Sequence, residues 1–166
     1  MNPTPIANDR ASWNVKWMLE KFHEDEHHLV GATPYETRHI DGNLLVTTGI
    51  QLLEDLLIAA GGTAFNNANA RIGVGDSSTA AAIGQTDLVA ATNKVRVAMD
   101  ATFPSRSGTT ISFKSTFGSA VANWVWNEWA IFNAASAGTM LNRKVESLGT
   151  KASGSSWVLT CTIVVS

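Results

Sequence analysis

Apolar and polar residues alternate along much of the second half of the chain, most clearly between Ile111 and Ile131. An alternation of period two is typical of a β-strand, whose successive side chains point to opposite faces of the sheet. Both faces of this stretch would carry large apolar groups, so we expect a central strand that is covered on both sides. The first predicted face holds Trp124, Trp126, Glu128, Ala130 and Phe132, and the second holds Val125, Asn127, Trp129 and Ile131.

Similar alternating runs, separated by turn residues and small-residue loops, continue from Asn66 to the C-terminus. Short strands at this spacing are typical of antiparallel β-sandwiches and barrels. We therefore predict a mainly β fold, an antiparallel β-sandwich or jelly-roll-like domain with one packed helix. The predicted strands are Arg71–Gly75, Lys94–Phe103, Thr109–Thr116, Asn123–Phe132, Thr139–Val145 and Ser156–Val165.

The packed helix is predicted to begin at Thr47-Thr48-Gly49 and to end before Gly61-Gly62. Glycine pairs of this kind terminate helices because glycine adopts the left-handed conformation without steric cost. Leu44–Val46, just before the helix, is predicted as a short strand or lead-in. The apolar positions of the helix form a broad face, made of Ile50, Leu52, Leu53, Leu56 and Leu57.

The N-terminal region has a different pattern. Residues 1–12 contain Pro3 and Pro5 and are predicted to form an extended arm. Residues 13–28 place Trp13 and Trp17 at the i, i+4 spacing of a short amphipathic helix. Leu29–Asp41 is predicted to be a loop. We thus divide the chain into an arm with a docking helix, residues 1–42, and a β-sandwich domain, residues 43–166.

A short helix needs a surface to dock on, and aromatic side chains dominate such contacts. The predicted partner-binding residues are therefore Trp13, Trp17, Met18 and Phe22. The alternative is that these four residues pack on the chain's own β domain.

Composition narrows the range of functions. Charged residues make up 16% of the 166 residues, the net charge is −2 and the pI is about 6.0. This balance gives no reason to expect nucleic acid or an anionic membrane as a partner. The weakly charged surface suits either a protein packed against neighbours in an assembly or an ordinary weakly charged domain.

Other sequence features point to an origin in the cytoplasm. The N-terminus lacks the basic and apolar regions of a signal peptide, and no apolar run approaches the roughly 18 residues of a membrane span.

The single cysteine, Cys161, cannot form an internal disulfide, and its alternating apolar surroundings predict a buried, inert thiol.

The sequence from His23 to His27 satisfies the H-E-x-x-H pattern of zinc hydrolases, in which two helical histidines hold zinc and Glu24 is the base. The intervening residues, Asp25 and Glu26, are acidic rather than apolar, and the remaining histidines do not have the usual spacing of a third ligand. We therefore predict a solvated polar segment, with no metal, cofactor or catalytic residue.

Two further patterns do not support a catalytic or binding site. Gly73-Val74-Gly75-Asp76 lacks the third glycine of a dinucleotide fingerprint, and Asp76-Ser77-Ser78 is predicted to form a polar turn instead. Asp87, Asp100 and Glu128 could act as glycosidase carboxylates, but nothing in the sequence brings them together.

Glu128, inside an apolar strand, needs a cationic partner, for which Arg96 and Arg143 are candidates. Tryptophans could stack on sugars, but packing in the core is the preferred explanation.

Four segments of the chain are specific enough to compare with known families. They are RIGVGDSS from Arg71, QTDL from Gln85, NEWAIFN from Asn127 and MLNRKV from Met140. These segments, and the helix GIQLLEDLLIAAGG, resemble a family of small virion proteins of tailed bacteriophages, loosely described as head-decoration or tail-fibre-like. The resemblance covers Asn43 to Ser166.

The resemblance implies a structural protein of the virion and no enzymatic activity. We expect a capsid decoration (cement) protein, a homotrimer that binds the major capsid protein on the capsid surface and stabilises the head. It would be made in the cytoplasm of the host bacterium. The alternatives are a tail, fibre or baseplate component, a carbohydrate- or host-receptor-binding module and, least favoured, a zinc hydrolase.

Overall fold

A computed structural model describes residues 11–25 and 31–166. These residues form a mainly β fold with one helix, α1 (Thr47–Leu57). In chain order the strands are β1 (Trp13–Phe22), β2 (Glu36–Asp41), β3 (Leu44–Leu45), β4 (Arg71–Gly75), β5 (Lys94–Ala98), β6 (Ser105–Ser107), β7 (Thr110–Phe117), β8 (Val125–Phe132), β9 (Met140–Thr150) and β10 (Ser156–Val165).

The strands form two antiparallel sheets of five strands each. Sheet A has the order β2-β1-β10-β7-β6, and sheet B has the order β3-β9-β8-β4-β5. This arrangement agrees with the predicted antiparallel β-sandwich, and the jelly-roll connectivity stays a prediction. The predicted helix and the short strand before it are confirmed, as are β4 and β10 at their predicted bounds.

The main core lies between the two sheets and is rich in tryptophan. The rings of Trp17 and Trp129 meet edge to face at 6.0 Å, and Trp126 makes similar contacts with Phe117 at 4.6 Å and Trp157 at 4.8 Å. Such pairs add favourable quadrupole interactions to the burial of large apolar areas. The aromatic contacts between strands of sheet A and strand β8 of sheet B therefore join the two halves of the sandwich.

Strand β8 is covered on both sides, as predicted, but one face assignment was wrong. The β8–β9 register shifts between Trp126 and Glu128, and this bulge interrupts the alternation. Trp126 consequently joins Trp129 in the core between the sheets, whereas Ala130 and Phe132 belong to a second cluster with Val46, Leu88 and Met140. The alternating pattern of the sequence could not reveal this irregularity in the pairing.

The predicted N-terminal docking helix was wrong. Residues Trp13–Phe22 form β1, which pairs along its whole length with β10 and on its other side with β2. The spacing of four between Trp13 and Trp17 fits a strand as well as a helix, because four is a multiple of two. Buried Lys21 continues the inward-facing series, and its charge concealed the alternation in the sequence.

The prediction of a loop at Leu29–Asp41 was also wrong for the final part of that segment, because Glu36–Asp41 forms β2. The division at residue 42 therefore does not separate a docking helix from the sandwich, since β1 and β2 are strands of sheet A. Two parts of these predictions lie outside the described residues. They are residues 1–10 of the predicted arm and residues 26–28 of the predicted helix.

Candidate interaction surface

The exposed large apolar side chains are concentrated on one side of the molecule. Among the described residues there are six, and five of them belong to α1 and its C-terminal cap or to the segment 76–93, which together lie outside sheet B. We call α1 with its cap and residues 76–93 the outer layer. Its exposed apolar residues are Ile50, Leu57, Ile58, Ile83 and Val89, and the sixth exposed side chain, Tyr35, precedes β2.

Helix α1 buries one side and exposes the other. On its inner side Leu52 is buried, and Gly49 lies so close to β9 that a β-carbon there would come within 2.4 Å of the Leu141 carbonyl oxygen. At its C-terminal end, Leu57 is 85% exposed and Ile58 is 73% exposed. The close approach required by Gly49 thus fixes which face of the helix remains open to solvent.

The end of the helix combines apolar and acidic groups. Ile58 is the C-terminal cap, and the chain then turns through Ala59 at φ 56° and Gly61 at φ 116°. Glu54 and Asp55 are exposed beside Leu57 and Ile58, and the helix sequence TTGIQLLEDLL contains no basic residue. A complementary partner surface would be apolar with a basic rim.

A buried ion pair attaches the rest of the outer layer to sheet B. Glu128 on β8 and Arg143 on β9 are both fully buried. Nε of Arg143 donates a hydrogen bond to Oε2 of Glu128 at 2.7 Å. The same carboxylate accepts hydrogen bonds from the backbone amides of Val89 and Ala90, at 3.0 and 2.7 Å. A buried carboxylate needs such a set of donors to offset the loss of water.

Arg143 extends the same network along the segment 76–93. Its guanidinium donates to the side-chain oxygen of Gln85 and to the carbonyl of Thr79, each at 2.9 Å. The carbonyl of Ile83 in turn accepts a hydrogen bond from the Thr47 amide, at the start of α1, at 2.8 Å. The segment and the helix are therefore connected parts of one layer, although the segment has no regular secondary structure.

A second set of charges fixes the outer layer near β5. Asp87 accepts hydrogen bonds from Lys94 at 2.9 Å and from Arg96 at 2.8 Å. Partial burial of the Asp87 carboxyl opposes its ionisation, but these two cations and the Leu88 amide together hold its pKa below the ordinary value. Arg96 also lies over the ring of Phe132, 3.6 Å from its centroid, so the cation packs on the second cluster.

The sequence correctly predicted that Glu128 would pair with a cation. Of the two candidates the structure selects Arg143, and Arg96 pairs with Asp87 instead. The three carboxylates considered as a glycosidase set do not converge on a shared water-filled site. Asp100 accepts hydrogen bonds from the amide and hydroxyl of Thr116, so each carboxylate has its own structural partners.

The four predicted partner-binding residues lie on strand β1 rather than on a helix. Trp17 and Phe22 are buried, Trp13 is half-buried against the main core, and Met18 is half-buried on the outer face of sheet A. Trp17 cannot reach a partner without opening the sandwich, because it belongs to the core between the sheets. Phe22, at the end of β1, is buried, but it alternates with the inward-facing residues of the strand. The alternative stated above, packing on the chain's own β domain, describes Trp13 and Trp17.

The described part of the zinc pattern, residues 23–25, is not helical. His23 directly follows strand β1, and its ring stacks on Tyr35 with centroids 4.3 Å apart. His27 lies outside the described residues. Within the described ranges 11–25 and 31–166, no group of three or more potential metal ligands is found.

The two glycines of the incomplete dinucleotide fingerprint, Gly73 and Gly75, have a packing role. A β-carbon at Gly73 would come within 2.7 Å of the Phe132 ring, and one at Gly75 within 2.5 Å of a Glu128 carboxylate oxygen. Strand β4 thus approaches the second cluster and the buried ion pair closely because it carries glycine at these positions. Asp76, which follows, accepts a hydrogen bond from Asn93 at 2.8 Å.

The tryptophans do not form an open platform for sugars. All six are among the described residues; Trp17, Trp126, Trp129 and Trp157 are buried, and Trp13 and Trp124 are half-buried against the core.

Burial raises the pKa of the Cys161 thiol well above its ordinary value, which agrees with the predicted inert thiol.

Comparison of the chain with protein-family models, curated proteins and solved structures finds no match. Within the described residues, no helix is long and apolar enough to cross a membrane.

The exposed end of α1 was not predicted, although the sequence contains a signal for it. The apolar positions of this helix, from Ile50 to Ile58, cover more of its circumference than a surface helix needs for one buried stripe. In the structure only Leu52 and Gly49 are fully buried. An excess of apolar residues over one stripe could have indicated a second apolar contact surface.

Proposed function

We propose that this protein is a structural component of a tailed-bacteriophage virion, and most specifically a capsid decoration protein. In this proposal it is a homotrimer that binds the major capsid protein on the capsid surface and stabilises the head. A location in the virion is supported by the resemblance to phage virion proteins of the segments that begin at Arg71, Gln85, Asn127 and Met140. The exposed outer layer supports a role in binding other proteins.

The observation that carries the proposal is the concentration of exposed apolar side chains on the outer layer. Burying a leucine or isoleucine side chain is worth about 1.5–3 kcal/mol, so Leu57 and Ile58 offer a substantial gain to any partner that covers them. A partner contact at the outer layer would obtain this gain without opening the sandwich. The proposed docking surface is therefore moved from Trp13, Trp17, Met18 and Phe22 to the end of α1.

The network around Glu128 and Arg143 makes the outer layer suitable for this role. A surface held in one conformation loses less conformational entropy when it binds than a flexible one does. Buried, hydrogen-bonded charges hold Val89 and Ala90 on sheet B, and Ile83 is tied to the start of α1. The outer layer would therefore present its apolar side chains in a preorganised arrangement.

A capsid-binding experiment tests the proposal. Expanded capsids lacking this protein are mixed with the purified protein and sedimented, and the bound fraction is measured. The double substitution Leu57→Asp, Ile58→Asp is expected to reduce the affinity at least tenfold, because each contact would lose apolar burial and gain a charge to desolvate. Both side chains are mainly exposed, but two new carboxylates at the C-terminus of α1 oppose the helix dipole, so the free energy of unfolding should fall by about 1–2 kcal/mol and the protein should remain folded.

The matched control is Met18→Thr, on the outer face of sheet A, where threonine suits a strand. This variant should bind capsids like the wild type. If Met18→Thr abolishes binding and the α1 variant does not, the outer layer is not the docking surface. If the wild-type protein binds isolated tails and not capsids, the decoration function is wrong and the tail alternative replaces it.

A further inference from the structure

A buried lysine meets a side-chain amide at the open end of the β8–β9 hairpin. Asn123 lies just before β8 and Lys151 just after β9. The Lys151 side chain is fully buried, and its Nζ lies 2.9 Å from Oδ1 of Asn123 and 2.7 Å from the carbonyl oxygen of Gly118. The backbone amide of Lys151 also donates to the Trp124 carbonyl at 3.0 Å, which fixes the two segments side by side.

This contact differs from those of the other lysines in the described part of the chain. Lys21 and Lys94 donate to the carboxylates of Glu36 and Asp87, and Lys144 donates to the carbonyl of Asp41. A carboxylate resists attack by an amine because it is negatively charged. A backbone amide is neutral, but attack on it would cleave the chain. The side-chain carboxamide of Asn123 is neutral and can release ammonia with the chain intact, so its contact with Lys151 brings together a nucleophile and an electrophile.

The surroundings of Lys151 favour the reactive form of its amine. Burial lowers the pKa of the Lys151 ammonium, while the negative charge of Asp25 acts in the opposite direction. Asp25 is held beside this site by a hydrogen bond from the Ser119 amide, next to Gly118. A carboxylate in this position can accept the proton that the lysine must lose.

The carboxamide of Asn123 is held at both ends. Its Oδ1 accepts from Lys151, and its Nδ2 donates to the Ser119 carbonyl at 2.7 Å. The amide therefore presents a fixed orientation to the amine, and fixed proximity of this kind accelerates reactions between neighbouring groups.

The geometry points to an intramolecular isopeptide bond between Lys151 Nζ and Asn123 Cγ. The nitrogen lone pair of the neutral amine attacks Cγ, and the bond from Cγ to Nδ2 breaks. One amine proton leaves with Nδ2 as part of ammonia, and the other stays on the new secondary amide. No oxidant, reductant or cofactor is needed, and one ammonia is released for each bond formed.

Such a bond would close the β8–β9 hairpin covalently. This hairpin carries both members of the buried ion pair, Glu128 and Arg143, and forms the centre of sheet B. The bond would prevent the two strands from separating at their open end, even in an unfolded chain. The inference does not depend on the proposed function, since it concerns the hairpin alone.

Intact-mass measurement of the denatured full-length protein tests the inference. The wild-type protein is expected to be lighter than its sequence by one ammonia, and digestion should yield a branched peptide that joins residues 123 and 151. Lys151→Arg and Asn123→Ala should both show their full calculated masses. Asn123 is exposed, so its alanine variant should still fold. The matched control Lys21→Arg should keep the mass deficit, because Lys21 contacts a carboxylate.

A succinimide formed by Asn123 alone would also release ammonia. It would persist in Lys151→Arg and give no branched peptide, so the two explanations are distinguishable. Asp25→Asn should slow formation of the bond in freshly folded protein if Asp25 accepts the proton. A folded wild-type protein that keeps its full sequence mass after prolonged incubation at neutral pH would overturn the inference.

Discussion

The outer faces of the two sheets differ. On sheet A, the outward residues of β1 alternate with buried ones and are polar or half-buried, as Asn14, Lys16, Met18 and Glu20 illustrate. On sheet B, a helix and an irregular segment cover the corresponding face, and a buried ion pair fastens them. The exposed apolar side chains lie on this added layer rather than on the strands beneath it. The sandwich thus supplies stability, and the layer supplies a surface.

The largest expected effect comes from detaching the outer layer. Arg143→Met would leave the Glu128 carboxylate buried without its cation, and breaking such a pair costs about 3–5 kcal/mol. Urea unfolding would measure the lost free energy. Amide hydrogen exchange should accelerate most at Val89 and Ala90, whose amides donate to Glu128.

The double variant Glu128→Gln, Arg143→Met is the control for this effect. A neutral amide still accepts hydrogen bonds, so the double variant should be more stable than Arg143→Met alone. If both proteins lose equal stability, the charge of Glu128 is not the cause.

Sheet A should respond to substitution on its inner face and tolerate it on its outer face. Trp17→Ala would remove a buried ring that contacts Trp129 and should cost about 3–5 kcal/mol. The neighbouring Met18→Ala should cost about 1 kcal/mol or less. Thermal or urea unfolding of the two variants measures the difference. A Trp17→Ala protein that keeps its stability and loses capsid binding would restore the sequence-based docking hypothesis.

The fold was predictable where alternation and turn residues act locally. Most strands of the second half, the helix and the need of Glu128 for a cation followed from patterns of neighbouring residues. The short strand β6 was missed, and the predicted strand Lys94–Phe103 was too long, because β5 ends at Ala98. Strand β1 was not predictable in the same way, because its stability comes from pairing with β10 more than 100 residues away. The choice of Arg143 over Arg96 likewise depends on the register of β8 against β9, which no local pattern contains.

The candidate interaction surface was less predictable than the fold. The sequence offered aromatic residues on β1 as anchors, but the sandwich uses Trp17 for its own core, and Phe22 is buried at the end of the strand. The exposure of Leu57 and Ile58 depends on the close contact between Gly49 and Leu141, which determines the orientation of α1. Such orientations arise from tertiary packing and become visible only in the folded protein.

The smallest expected effect is a dependence of the outer layer on acid pH. The folded-state pKa of Asp87 is lower than its ordinary value of 3.8, so its contribution to stability is fully present above that value. The contribution is lost as the pH falls through the lower folded-state pKa, because protonation removes the attraction to Lys94 and Arg96. The Asp87→Asn variant should therefore show a weaker loss of stability between neutral and acid pH in urea unfolding. Equal pH profiles for the two proteins would show that this carboxylate does not stabilise the fold.

A reconstruction of the virion that contains this protein tests the central claim most directly. The proposal predicts many symmetry-related copies on the head, with Leu57 and Ile58 buried against the capsid and the outer face of sheet A directed away from it. The contradicting result is a protein that is absent from the virion, or one that contacts the capsid through sheet A while the end of α1 remains in solvent.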